Sequence, residues 1–215
     1  MTAAAEAFAR TGRVWLRGAL DSDTCSELRA DIGAGSSRLA PDHTLMVAAG
    51  RWLAPIRAHW PGMAPVRGVV FDKTRSDNWG VPWHQDRIIA VRDRIDLEGY
   101  SAWSRKGDMW HCAPPVSVLQ HMLFVRIHLD DTTAENGAME IALGSHRAGA
   151  VPTGEAEAVA AQFDTEITEA QAGDILVLHM LILHRSPPSQ SEAPRCTLRF
   201  DLADRPLPHG LSWAV

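Results

Sequence analysis

From Val66 onward the chain runs in short apolar stretches cut by Gly, Pro and Asp, and this texture constrains the fold more than any other feature. The clearest stretch is Met122–Asp130. There Leu123, Val125, Ile127 and Leu129 alternate with Phe124, Arg126, His128 and Asp130, the period-2 signature of a strand. Val66–Phe71, Ala138–Ala142 (after the tight-turn dipeptide Asn136-Gly137), Ile175–His184 (after Gly173-Asp174) and Arg195–Leu202 read as further strands. The first third differs. Arg13–Arg17 is a short strand closed by Gly18, and Asp21–Asp23 with Thr24-x-x-Glu27 starts a helix that runs to about Ile32. Gly33–Ser37 is a loop, Met46–Ala58 is helical with Pro55 limiting it, and Glu155–Gln162 is a weak helix or loop. Many short strands fronted by N-terminal helices predict a sandwich or small barrel.

The chain has 215 residues, a length that suits one domain, with helical support over about 1–65 and a β core over about 66–205. Its 46% hydrophobic and 22% charged residues are those of a folded globular protein, not a disordered one. A net charge of −5 gives no footprint for nucleic acid or an anionic membrane. The longest apolar run near the C-terminus, Ile175–Leu183, is far short of the roughly 20 residues that span a bilayer. Arg10, Arg13 and Arg17 near the N-terminus lack the basic-then-apolar order of a signal peptide. Cys25, Cys112 and Cys196 are scattered without a CxxC pair, so neither a zinc knuckle nor a disulfide framework is indicated. The expectation is a cytoplasmic protein with a small-molecule partner; nothing in the sequence speaks to its oligomeric state.

Ten histidines carry the chemical signal. Two His and one carboxylate on one face leave three coordination positions free, the arrangement that suits non-haem iron(II). Residues i and i+2 of a strand point the same way, so His-x-Asp delivers two such ligands side by side, and the third must come from a distant strand. Ten His and 16 Asp in 215 residues supply about 0.7 such pairs by chance. The chain has two, His84-Gln85-Asp86 and His128-Leu129-Asp130. Asp130 and Asp131 run into Thr-Thr-Ala-Glu-Asn-Gly and read as turn residues. His84 follows Trp79-Gly-Val-Pro-Trp83, where Pro82 marks an irregular approach. This context, with the resemblance described next, favours His84 and Asp86.

Trp83-His84-Gln85-Asp86-Arg87 resembles the metal-binding segment of the phytanoyl-CoA dioxygenase family of iron(II)/2-oxoglutarate oxygenases. His128-Leu-Asp-Asp-Thr-Thr-Ala-Glu-Asn-Gly137, Leu143-Gly-Ser-His146, Ala172-Gly-Asp-Ile-Leu176 and His184-Arg185-Ser186 with Arg195 match that family in the same order. The resemblance covers about Val66 to Ala203. It implies a mainly β fold with flanking helices, a double-stranded β-helix (cupin-like jelly roll) with iron at one mouth. It makes His84, Asp86 and His184 the iron ligands, Arg195 the partner of the distal carboxylate of 2-oxoglutarate, and Ser186 the hydroxyl that assists Arg195. Gln85, in the variable position, would face co-substrate or substrate. Leu143 stands where the family most often has proline, a loop detail. Relatives that halogenate carry a small residue in place of the ligand Asp; Asp86 therefore points to hydroxylation, with O2 consumed and 2-oxoglutarate decarboxylated to succinate and CO2. The alternative, from another class, is a non-catalytic cupin-like metal or small-molecule binding protein; a third is a zinc or nickel site driving hydrolysis or isomerisation.

Between Arg87 and Val116 lies a long polar connection, and connections above about 15 residues are often functional lids. Trp103 and Trp110 would either pack an apolar substrate or pin the segment to the barrel. Arg105, Lys106 or His111 would meet a carboxylate or phosphate. Arg126 and His128 share the polar face of their strand, which in a jelly roll turns to the interior near 2-oxoglutarate or substrate. Arg199 shares a face with Arg195 and Thr197 and is a further substrate candidate. Lys73 reads as a surface or entrance charge. On an unbroken strand His179, five from His184, would face the other way.

Overall fold

Two long strands, Ala64–Lys73 and Arg195–Ala203, pair antiparallel over nearly their full length. They are the middle of a six-stranded sheet in the order Arg13–Leu16, Ile175–His179, Met122–His128, Arg195–Ala203, Ala64–Lys73, Ser37–Arg38. A four-stranded sheet of Thr165–Ile167, Glu140–Ala142, His184–Ser186 and Val81–His84 covers its inner face. Every named pairing is antiparallel. This is the mainly β, cupin-like double-stranded β-helix, with its sheets left open rather than closed into a barrel. The computed structural model describes residues 3–32, 37–74 and 78–215. The loop expected over Gly33–Ser37 lies, apart from Ser37, outside the described residues. No helix among them is long and apolar enough to cross a membrane.

Strand alternation divides the large sheet into two unlike faces. Val70, Leu123, Val125, Ile127, Val177, Leu198 and Phe200 point outward and bury themselves against Leu28, Leu45, Trp52 and Ile56 of the N-terminal helices. The alternate positions of three central strands point inward and carry, among Val69, Phe71 and Phe124, a set of polar side chains: Arg67 and Lys73, Arg126 and His128, Arg195, Thr197, Arg199 and Asp201. The strands are therefore buried on both sides, although they read as amphipathic. Lys73, expected at the surface, is only 1% exposed because it continues this inward set. On the outer face of Ala64–Lys73, a Cβ at Gly68 would come within 2.5 Å of Met46 Sδ. Glycine lets the short helix Thr44–Val47 lie directly on the strand.

Helix Ser22–Asp31 begins as expected, with Asp21 accepting from the Thr24 N–H at 2.8 Å. Three other expectations change. Met46–Ala58 is a chain of one-turn helices, Thr44–Val47, Ala49–Trp52 and Ala54–Arg57. Pro55 opens the last of them, where its missing N–H costs nothing. Ile175–His184 is two strands. The first ends at His179, where the Ile182 N–H bonds the His179 carbonyl and the Leu181 N–H bonds its Nδ1; His184–Ser186 then joins the other sheet. Met180–Leu183 crosses between sheets through the core, so hydrophobicity carries no trace of the break. The connection after Arg87 is no loop but a small sheet, Ile89–Val91, Met109–Ala113 and Ser101–Lys106, whose hairpin turns at Gly107 (φ 59°). Trp103 and Trp110 meet edge to face at 6.5 Å and pack on the inner core cluster, which pins that hairpin in place.

His128 is sealed inside with its Nδ1 2.9 Å from Thr132 Oγ1. Burial first, then Arg126 and Arg195, push its pKa down to about 3. Burial, then His146, holds His179 at about 4. Both rings are neutral in the fold and bind protons near pH 6.5 once unfolded. The unfolded state therefore takes up more protons as pH falls from about 6.5 toward 4, and stability drops, each ring contributing a slope of up to about 1.4 kcal/mol per pH unit. Urea midpoints between pH 7 and 4.5 should decline steeply for the wild type and less steeply for His128→Gln; equal slopes would show that His128 does not titrate this way.

Candidate metal centre

Strands Val81–His84 and His184–Ser186 pair in a register that sets His84 directly opposite His184. The ring centroids are 4.2 Å apart. Asp86 follows two residues after His84, and one donor atom from each of the three side chains lies within 4.8 Å of the others. Each imidazole is oriented by its own backbone: His84 Nδ1 is 2.8 Å from the Pro82 carbonyl and His184 Nδ1 is 3.0 Å from the Ile182 carbonyl. A carbonyl only accepts, so both Nδ1 atoms carry the proton and both Nε2 lone pairs are left for a ligand. Those Nε2 atoms face Asp86, 3.9 Å from Oδ1 for His84 and 3.2 Å from Oδ2 for His184. Burial, then the neighbouring His184, lowers the pKa of His84, which keeps it in the neutral form a metal needs. Two imidazole nitrogens and one carboxylate oxygen on one side are the donor set of a facial iron(II) site with three open positions.

Asp86 does not stand alone. Arg199 bonds its Oδ2 through Nη1 and bonds Asp201 through Nε at 2.6 Å. The Arg199 guanidinium also lies 4.1 Å from the centre of the Phe124 ring. Burial alone would raise the Asp86 carboxyl, but Arg199 and then His184 outweigh it and hold it well below the usual carboxylate range. Arg199, expected as a substrate contact, thus reaches the candidate ligand Asp86 and orients it.

Beyond the triad a cavity of about 240 Å³ runs along the inner face of the large sheet. Arg195 lies at one end, buried, with Nη1 donating to the Gly137 carbonyl at 2.6 Å and Nε without a partner. Burial pushes its pKa down to about 10. Gly137 also accepts from Ser186 Oγ, and its φ of 78° turns this carbonyl inward. A Cβ there would meet the Pro187 carbonyl at 2.7 Å and Lys73 Nζ at 3.1 Å. Lys73 pairs across from Arg195, donates to the Pro187 carbonyl at 2.7 Å and lies 3.4 Å from Ser186 Oγ. Burial and then Arg195 lower its pKa to about 8. Arg126 lies over the Phe71 ring at 5.2 Å, and burial followed by Arg195 and Arg199 brings it to about 9. The site is a cation-rich pocket with the candidate His84–Asp86–His184 triad on one wall.

A family model described as phytanoyl-CoA dioxygenase matches residues 8–197. The chain belongs to this family. It is thereby a 2-oxoglutarate-dependent non-haem iron oxygenase by class. No curated protein matches the sequence. Several solved structures share the fold. AviO1 from Streptomyces viridochromogenes Tue57 is 20% identical, with 96% of each chain covered and a TM-score of 0.65. HygX from Streptomyces hygroscopicus with iron bound is 17% identical over 94% of this chain and 87% of its own, with a TM-score of 0.62. EctD from S. alaskensis with 2-oxoglutarate and 5-hydroxyectoine is 16% identical over 94% of this chain and 76% of its own, with a TM-score of 0.68.

Within this family frame, the structure brings together His84, Asp86, His184, Ser186, Arg126, Arg195 and Arg199 around one cavity. Gln85 is turned away, as the alternate residue between two inward ligands must be. Its amide donates to the carbonyls of Gly149 and Leu181 and accepts from the Val151 N–H, so it ties backbone segments together instead of facing co-substrate. Trp103, Arg105, Trp110 and His111 do not line the cavity; Arg105 lies near Trp110, and His111 is buried in the middle strand of the small sheet. Sequence reasoning missed Arg38, Arg67, Phe71 and Trp79 on the cavity wall. Reading the alternation of Val66–Phe71 from Arg67 and carrying it on two residues would have found Arg67 and Lys73. The second His-x-Asp pair does not converge: His128 meets Thr132, and Asp130 accepts from the Cys196 N–H at 2.8 Å. Alanine at His84, Asp86 or His184 should weaken Fe(II) binding by roughly 100-fold or more, whereas His128→Ala should retain it, as read by anaerobic calorimetry. Metal lost from His128→Ala but kept by His84→Ala would point to the other pair.

Proposed function

We propose that the chain hydroxylates an unactivated C–H bond of a small organic metabolite, coupled to conversion of 2-oxoglutarate and O2 into succinate and CO2. The observation that carries this reading is the His84–Asp86–His184 cluster opening onto a pocket whose far end is the buried guanidinium of Arg195. Ferrous iron supplies the oxidising chemistry when held by these three side chains, and the cofactor rather than the protein supplies that power. The chain's own contribution is placement. Arg195 keeps a free Nε donor in a desolvated setting and offers a planar fork that matches the distal carboxylate of 2-oxoglutarate. Ser186 and Lys73 lie beside it and add a hydroxyl and a second cation. Arg126 faces the same volume from the neighbouring strand. Arg199 bonds Oδ2 of Asp86, so the carboxylate keeps one orientation, and Phe71, Trp79 and Met139 supply apolar parts of the wall. The cavity is smaller than the roughly 300–1,000 Å³ of sites for drug-sized ligands, which favours a small substrate.

Purified protein given Fe(II), ascorbate and 2-oxoglutarate should release succinate slowly even without substrate. Arg195→Ala should raise the 2-oxoglutarate requirement by roughly 10–100-fold while iron affinity stays unchanged, the loss expected for one charged hydrogen-bonding partner. Failure of 2-oxoglutarate to bind the iron-loaded wild type at millimolar concentration would falsify the oxygenase reading.

A further inference from the structure

We propose that the substrate is an organic anion, and that Arg67 together with Arg38 holds its carboxylate or phosphate group at the end of the cavity opposite Arg195. The proposal rests on the oxygenase reading above and names the substrate class of that same site.

Strand register places the two ends apart. Arg67, Val69, Phe71 and Lys73 share the inward face of one strand, with Lys73 opposite Arg195 and Arg67 opposite Asp201 on the next. Six residues along a strand span about 20 Å of backbone. A five-carbon diacid anchored at Arg195 does not cover that length. Arg67 and Arg38 nevertheless both line the cavity.

Positive charge at this second pole is poorly balanced. Among the described residues lining the cavity, five are arginines and only Asp86 is acidic. Asp86 belongs to the metal ligands and is already engaged by Arg199. Arg67 bonds Asp201 at 3.3 Å and the Ile88 carbonyl at 3.4 Å, but Asp201 is shared with Arg199, and Arg67 Nε is buried without an acceptor. Arg38 has no acidic partner among the described residues. Burial, then the charge of Arg67, lowers the pKa of Arg38, and Arg38 in turn lowers that of Lys106. Arg38 is exposed and Arg67 half-buried, so their like charges repel across a solvent-reached mouth unless an anion joins them, and a planar oxyanion accepts from two such forks at once.

The same contacts fix this pole relative to the metal ligands. Asp86 is bonded to Arg199, Arg199 to Asp201, and Asp201 to Arg67. An anionic head at Arg67 therefore stands at a set distance from the triad, and the carbon between them is the one presented for oxidation. Arg38 also lines a more open groove with Lys106, Asp42 and Asp108, so the head would be taken in at a mouth of mixed charge and held only where Arg38 and Arg67 meet.

The test uses iron-loaded protein saturated with 2-oxoglutarate under anaerobic conditions. Calorimetry compares alkanoates of three to eight carbons with their amides and with the matching alkyl phosphates. The best anion should bind at least about tenfold more tightly than its amide. Arg38→Gln and Arg67→Gln should each cut that preference to below about threefold, and Arg67→Lys should restore part of it, while 2-oxoglutarate affinity changes less than about twofold. A preference for phosphate or for carboxylate identifies which head is taken, and either supports the proposal. Absence of any preference for an anion across the series, or a preference that survives in Arg38→Gln and Arg67→Gln, overturns it. Because 2-oxoglutarate binding is measured separately, a protein that binds it normally but shows no anion preference loses this proposal alone.

Discussion

The pairing of His84 with His184 across two short antiparallel strands is the constraint on which the site depends. Side chains alternate along a strand, so a slip of one residue would send both imidazoles to the other side and bring Gln85 and Arg185 inward. The register is secured from several directions. Gln85 clamps the end of one strand to Gly149, Val151 and Leu181, and the Ser145 hydroxyl accepts from the Leu183 N–H just before His184. Carbonyls at Pro82 and Ile182 then fix the ring tautomers. The geometry of the candidate triad is a consequence of sheet register and backbone hydrogen bonds.

The second organising feature is an excess of buried positive charge. Guanidiniums are costly to desolvate, and the chain manages the cost unevenly. Arg199 is fully engaged between two carboxylates, whereas Arg195, Arg126 and Arg67 each keep a buried Nε without an acceptor. A pocket left with open donors beside the candidate triad is preorganised for anions, since these donors have no protein acceptor to give up. The apolar outer face of the same sheet, packed against the N-terminal helices, supplies the stability that permits such an interior.

Much of the strand pattern was legible because a single periodicity governs it. The 122–128, 195–203 and 64–73 strands declare themselves by alternation, and Asp21 with Thr24 marks a helix start by local capping chemistry. Two regions escaped. Met180–Leu183 is as apolar as the strand before it, so a turn buried between two sheets is indistinguishable from a continuous strand. The 101–113 hairpin is polar and half-exposed, which made it resemble a loop, although the turn at Gly107 was present in the sequence.

The sequence by itself determined the candidate ligands and anchors, because His-x-Asp spacing, the distant His184 and Arg195 and the order of the surrounding motifs are properties of the linear chain. It also determined that the outward residues of the large sheet are apolar. Only the tertiary structure decided which polar residues share the cavity. Lys73 read as a surface or entrance charge and Arg67 carried no signal until strand pairing turned them inward beside Arg195 and Asp201, and Gln85, beside two candidate ligands in sequence, was turned away. The physical reason is that spacing along a strand fixes which side of that strand a residue occupies, whereas the sheet that covers that side is set by packing between segments far apart in the chain.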